Sequence, residues 1–299
     1  MSISEHPAQR LALIGMAASA LLAIAKIWIG MNANSTSAVA DGLESAADVF
    51  SSGIVFLGLS IAQRPPDENH PYGHGRFEIL AALAVGIVLV LAGVSISVRS
   101  LGRIGSDSRV PRFYAMWPLL ISLGVKLSMS LLKMRQGRKM DSAALIADAK
   151  NDGVDVISSA IALLALGLTL YDPVNLLEAD HIGGAIVGLI VCVLGFTVIR
   201  DTVYQLTDAM PDSSRLGEVR RVAMTVDGVE AVEKCYARKT GMRYHVDLHL
   251  EVDPNMTVRA SHAISGRVRD ALKRQLPWIA DVLIHVEPFD AMPGQGLRQ

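Results

Sequence analysis

Six separate stretches of this chain are each apolar over about twenty residues, the length an α-helix needs to cross a hydrocarbon core. They run approximately Leu11–Met31, Ser37–Ala62, Ile79–Val98, Phe113–Leu132, Ala143–Leu170 and Ile182–Tyr204. A bilayer core holds no water for spare N–H and C=O groups, so each stretch is confined to a helix. With 51% hydrophobic residues and a mean hydropathy of +0.36 over 299 residues, the chain reads as a polytopic α-helical membrane protein with six transmembrane helices. From about Pro211 charges become frequent and apolar runs shorten. The expected division is a transmembrane domain over 1–208, a C-terminal domain over 209–290 and a flexible tail over 291–299.

Two of the spans carry the same polar phrase. AVADGLESAADVFSSGI covers Ala38–Ile54 and LIADAKNDGVDVISSAI covers Leu145–Ile161. Spacings of three and four put Asp41, Glu44 and Asp48 on one helix face, and Asp148, Asn151 and Asp155 on another. A charged group near the bilayer centre costs about 2.5–3.5 kcal/mol on insertion scales, so a duplicated stripe of them calls for a reason. A divalent-cation site between the two helices supplies one, with Glu44, Asp48, Asn151 and Asp155 as four oxygen donors. Asp41, Asp148 and Asp152 stand beside them as an entrance or outer layer. The alternative is that these acids neutralise Lys26, Lys126 or Lys150 in buried ion pairs. Carboxylate and amide oxygens favour Mn²⁺ or Fe²⁺, while Zn²⁺ also accepts carboxylates.

Two further clusters have ligand-like spacing. Asp67, His70 and His74 fall within one short loop after the second span, where Gly73 and Gly75 allow a tight path. The last third predicts helix Ser213–Thr225, strands Val229–Arg238 and Met242–Val252, helix Val258–Gln275 and strand Asp281–Glu287, a small open α+β sandwich of metallochaperone-like order. His249, His262 and His285 come from three of these elements and are expected to converge on a metal. His245 and Asp247 are weaker candidates on the same strand.

Other function classes find little support. A formal charge of −1 argues against bulk attraction to nucleic acid. Cys192 and Cys235 make neither a disulfide framework nor a zinc-finger spacing. No phosphate loop, zincin helix or Ser/His/Asp arrangement suggests an enzyme. The polar N-terminus lacks a cleavage site after a short apolar core, so the first helix is read as retained. Arg10, Arg64, Arg76, Lys133, Arg135, Arg138, Lys139 and Arg200 outnumber Arg99, Arg103, Arg109 and Arg112 across the membrane, which puts both termini in the cytoplasm. A passive cation channel and a membrane metal sensor remain as rivals to a transporter.

The ordered set of motifs resembles the cation diffusion facilitator family of divalent metal/proton antiporters. The likeness rests on six spans, the paired Ala-Asp…Asp-Val-x-Ser-Ser phrases, the loop His70-Pro-Tyr-Gly-His-Gly-Arg-Phe-Glu78, and Val246-Asp-Leu-His249 with Ile284-His-Val-Glu-Pro288. It implies a homodimeric exporter of the inner membrane that exchanges cytoplasmic metal for protons by alternating access, with no organic cofactor and no nucleic-acid partner. It implies ligands at Glu44, Asp48, Asn151 and Asp155, a loop site at Asp67, His70 and His74, and a dimer-interface site at His249, His262, His285 and Glu287. It also implies a charge lock between Arg76 and Asp208. Zinc-transporting members typically carry histidine where this chain has Asn151, which favours manganese or iron here.

Overall fold

The computed structural model describes residues 7–105, 109–139 and 143–289, with side chains described from residue 15 onward apart from residue 137 and residues 143–148. Among the described residues, six helices are long and apolar enough to cross a membrane: α1 (Pro7–Asn32), α2 (Thr36–Ala62), α3 (Arg76–Leu101), α4 (Met116–Lys139), α5 (Ala143–Tyr171) and α6 (Ala179–Leu206). All six expected spans are present. Several helices outrun the apolar stretch inside them. α3 begins at Arg76 and not Ile79, because Phe77 N–H already reaches the His74 carbonyl and the first turn forms outside the apolar run.

The α1–α2 turn shows how the polypeptide reverses without losing backbone bonds. Asn34 adopts φ 58°, and Ser35 N–H reaches back to the Gly30 carbonyl at 3.0 Å, closing α1 with a left-handed cap. Ser35 Oγ then accepts from Ala38 N–H and opens α2. The exposed donors at that helix start are collected by Asp180 of α6, which is fully buried. Its carboxylate accepts from Ser35 Oγ at 2.8 Å, Ser37 Oγ at 2.5 Å, Ser37 N–H at 3.3 Å and Thr36 N–H. An anion at the positive end of α2 satisfies orphan N–H groups and complements the helix dipole.

Small residues let α3 and α6 approach at backbone distance. A Cβ added at Gly93 would lie 2.6 Å from both Gly188 O and Cys192 N, and one at Gly195 would lie 2.7 Å from Val90 N. Gly86 and Gly188 make the same close approach. Such seams replace the hydrophobic effect, which does not separate helix from lipid inside a bilayer.

The C-terminal part contains α7 (Ser213–Ala223), β1 (Ala231–Thr240), β2 (Arg243–Val252), α8 (Val258–Gln275) and β3 (Ile279–Pro288). The sheet order is β1-β2-β3, with β1 antiparallel and β2–β3 parallel. Gly241, at φ +74°, makes the hairpin turn. Val246, Leu248, Leu250 and Val252 face one side of β2 and pack with Val219 and Val222 of α7 and Ile264, Val268 and Leu272 of α8. Strand alternation therefore turns Asp247, His249 and Glu251 to the other face. The expected α+β element order is present.

The chain divides into two compact units, one of Met1–Phe56 with Leu83–Ile199, the other of Leu57–Ala82 with the chain from Arg200 onward. The loop between α2 and α3 thus groups with the C-terminal elements.

Candidate metal centre

The two polar phrases face each other. α2 and α5 run antiparallel, and their polar positions pair along the seam. Ser159 Oγ donates to Asp41 at 2.9 Å and Ser158 Oγ to Glu44 at 2.8 Å, while Ser37 Oγ lies 3.2 Å from the Ala162 carbonyl. Asp48 then meets Asp155. Asp41, Glu44 and Asp155 are buried, with residue exposures of 1%, 3% and 5%. Among the described residues, Glu44 Oε2 and Asp48 Oδ2 are buried with no hydrogen-bond partner. A buried, unpartnered carboxylate oxygen is expensive unless a cation or proton completes it.

The remaining acids have lysine partners. Lys26 of α1 lies 2.7 Å from Asp41 and donates to Ser45 at 2.7 Å. Lys126 of α4 contacts Asp155 and lies 3.3 Å from Asp152, whose second oxygen is 2.5 Å from Lys133. The expectation divides accordingly: Asp41 and Asp152 are members of buried ion pairs, Glu44 and Asp48 are not, and Asp155 touches both kinds of neighbour. Asn151 is exposed one turn beyond Asp155 and Lys150 is exposed beside it. Asp148 lies on α5, but its side chain falls outside the described residues.

Sequence reasoning missed three contributors to this band. Ser158 and Ser159 belong to the repeated phrase, yet their role as donors to α2 needed the helix pairing to be known. Lys133 stands seven residues after Lys126, so the two share one face of α4, but that this face meets α5 needed the helix pairing as well.

The loop after α2 brings Asp67, His70 and His74 together. Asp67 Oδ1 accepts from the backbone N–H of Asn69 and His70, at 3.0 and 2.7 Å, and lies 3.2 Å from His70 Nδ1. The His70 backbone bond chiefly holds the Asp67 carboxyl below its ordinary range. His74 Nδ1 donates to the Pro65 carbonyl at 3.2 Å, and its Nε2 lies 3.3 Å from Asp67 Oδ2. One ligand atom from each of Asp67, His70 and His74 fits within 4.8 Å.

On the open face of the sheet, the parallel register sets His249 beside His285 and Glu251 beside Glu287. Glu287 Oε1 lies 2.7 Å from His249 Nδ1 and 3.4 Å from His285 Nε2, and the three offer ligand atoms within 4.8 Å. Glu233 and Glu251 form a second such group with Glu287. Glu233 was not anticipated, because β1 carries a register shift between Val232 and Cys235 that sequence alternation does not reveal. The expected convergence of His262 does not occur within one chain. His262 is exposed on α8, whose buried side packs on the opposite face of the sheet. His245 instead hydrogen-bonds Thr240 at 2.8 Å, and burial lowers its pKa. Arg76 and Asp208 do pair, at 2.9 Å, with both side chains about half exposed.

Six membrane-length helices and a buried acidic seam define a membrane-embedded cation handler. The chain matches the cation efflux transmembrane domain over residues 12–207 and the cytoplasmic domain of cation efflux proteins over residues 211–289. It belongs to the cation diffusion facilitator family and is a multi-pass metal efflux transporter. It is 32% identical to the manganese efflux system protein MneP of Bacillus subtilis (strain 168), over 95% of this chain and 97% of that protein. It is 27% identical to the magnetosome protein MamB of Paramagnetospirillum magneticum, covering 88% of each. A solved MamM C-terminal domain, in a nickel form, is 24% identical and covers 26% of this chain and 100% of its own, with TM-score 0.26.

Proposed function

We propose that this protein exports a divalent cation, manganese foremost, from the cytoplasm in exchange for protons. The observation that carries the reading is the pair of buried, unpartnered carboxylate oxygens on Glu44 and Asp48 beside Asp155. Along this band, among the described residues, five carboxylates (Asp41, Glu44, Asp48, Asp152 and Asp155) meet three ammonium groups (Lys26, Lys126 and Lys133). Five less three leaves two negative charges, which one divalent cation or two protons neutralise. An uncompensated charge in the membrane interior is costly, so the two loads exclude each other and the exchange follows.

In this reading Glu44, Asp48 and Asp155 bind the ion and Asn151 adds an amide oxygen as the helices shift. Metal needs deprotonated ligands, so loading releases protons and unloading recovers them. Asn151 cannot titrate, and the protons ride on Glu44, Asp48 or Asp155. Oxygen-only ligation suits manganese or iron over zinc, and the manganese efflux names of the Bacillus relatives point the same way. The protein acts as a homodimer in the inner membrane with both termini cytoplasmic. Metal at Asp67/His70/His74 and at His249/His285/Glu287, with His262 supplied by a second chain, senses the cytoplasmic level, and the Arg76–Asp208 pair acts as a charge lock.

The test is metal uptake by everted vesicles under an imposed pH gradient, with Mn²⁺, Fe²⁺, Zn²⁺ and Cd²⁺. Mn²⁺ uptake that collapses with the gradient, and is lost in Asp48→Asn and Asp155→Asn, is the expected result. Wild-type uptake by either variant would refute the site, and uptake indifferent to the gradient would refute the exchange.

A further inference from the structure

Lys126 is placed differently from the other buried lysines. Lys26 has one acid, Asp41, whose carboxylate is completed by Ser159. Lys126 has two acids, three residues apart on one face of α5: it contacts Asp155 and lies 3.3 Å from Asp152 Oδ1. Asp152 is already held from its other side by Lys133, 2.5 Å away. The side chains of Lys126, Lys133, Asp152 and Asp155 are between 3% and 6% exposed, so water cannot stand in for a missing partner. Ser130, one turn from Lys126, is bonded to the Ala149 carbonyl and fixes α4 against α5 at this level.

This geometry gives the Lys126 ammonium two docking positions that differ by a rotation of its flexible stem. On Asp155 it occupies oxygen lone pairs at the acid that also faces Asp48. On Asp152 it leaves Asp155 open while remaining paired. Asp155 in turn is left without a cation unless another one arrives.

We propose that Lys126 is a tethered competitor for the transported cation. It sits on Asp155 when the ion is absent and withdraws to Asp152 when the ion binds. The inference rests on the reading of Asp155 as a ligand of the transported ion. A competitor built into the chain lowers the apparent affinity by the ratio in which it holds the binding-competent group. It also speeds departure, because the ammonium reoccupies Asp155 as the ion leaves. A site of hard oxygen donors in a low-dielectric setting would otherwise hold a dication too long to turn over.

The experiment is initial-rate Mn²⁺ uptake by the full-length protein in proteoliposomes at a fixed pH gradient, resolved into KM and maximal rate. Lys126→Met, which keeps the stem and removes the charge, is expected to lower KM about tenfold and to lower the maximal rate as well. Asp152→Asn removes the alternative docking position, so it is expected to raise KM by a similar factor. The double variant Lys126→Met/Asp152→Asn is expected to return to the Lys126→Met value. An ion pair acting only through its net charge would move KM in these same directions in the two single variants but would return the double variant to the wild-type KM, so a double variant at the wild-type KM overturns the proposal. An unchanged or raised KM in Lys126→Met overturns the proposal. Should that variant not fold, an unchanged or lowered KM in Asp152→Asn overturns it alone. Asp155→Asn separates the two levels: wild-type uptake there sinks the ligand assignment, whereas lost uptake with an unmoved KM in Lys126→Met sinks only the competitor.

Discussion

Asp41 and Asp48 lie two turns apart on one face of α2, and among the described residues the first is ion-paired with a lysine while the second is not. Lys26 Nζ stands 2.7 Å from Asp41 Oδ2, whereas Asp48 faces a second acid, Asp155. The same residue type in the same stripe thus serves two ends, one as half of a neutral pair and one as a ligand awaiting a cation. Glu44, between them, has a serine on one oxygen and, among the described residues, no hydrogen-bond partner on the other.

Asp41→Asn is therefore expected to damage stability more than chemistry. It strands the Lys26 ammonium, 1% exposed, with Ser45 as its remaining partner. Breaking a buried pair on one side costs about 3–5 kcal/mol. The thermal unfolding midpoint of the purified protein should fall sharply. Lys26→Met/Asp41→Leu, which removes both charges, should recover most of the loss.

Asn151→His should move metal preference toward zinc. An imidazole nitrogen suits Zn²⁺ better than an amide oxygen does, and Asn151 sits one turn from Asp155 on the exposed edge of the band. The ratio of Zn²⁺ to Mn²⁺ uptake should rise about tenfold. An unchanged ratio would place selectivity elsewhere in the protein.

Gly93→Ala tests the α3–α6 seam. Its new Cβ meets backbone atoms of Gly188 and Cys192 at 2.6 Å, and backbone cannot swing aside as a side-chain tip can. Overpacking of this kind costs about 1–3 kcal/mol. Gly124→Ala is the control: nothing lies within 4 Å of a Cβ there, so stability should hold or improve.

The C-terminal domain should lose stability as the solution is acidified below about pH 6.5, the ordinary histidine value. Burial lowers the folded pKa of His245, so the unfolded chain takes up a proton before the folded one does. Stability from this group is complete above the unfolded value and is lost as pH falls through it toward the lowered folded value. His245→Gln should flatten that part of the pH profile of unfolding, measured by tryptophan fluorescence through Trp278.

Much of this was legible in the sequence because the bilayer removes choices. Six apolar runs permit little except six helices, and strand alternation in Tyr244–Val252 assigns His249 to a face before any coordinates exist. The duplicated phrase likewise puts Glu44, Asp48, Asn151 and Asp155 on two matching stripes, of which Asn151 lies exposed at the edge of the band. What escaped depended on pairings between distant segments. Lys133 acquires its role only when α4 is laid on α5, and Glu233 only when the irregular β1 register is known. Asp180 escaped as well, since nothing local in the sequence reveals that it receives the start of α2. His262 failed to join His249 and His285 for a related reason: helix and open face lie on opposite sides of one sheet.

Asp180 also limits how the helices can move. It holds four donors from Ser35, Thr36 and Ser37, and Asp180 N–H itself donates to Thr169 Oγ1 of α5 at 3.0 Å. Parting α2 from α6 at this end would strip a carboxylate of all those donors where no water replaces them. A swing of α2 is therefore pinned here like a door at its jamb, and the widest travel falls at the opposite rim of the membrane.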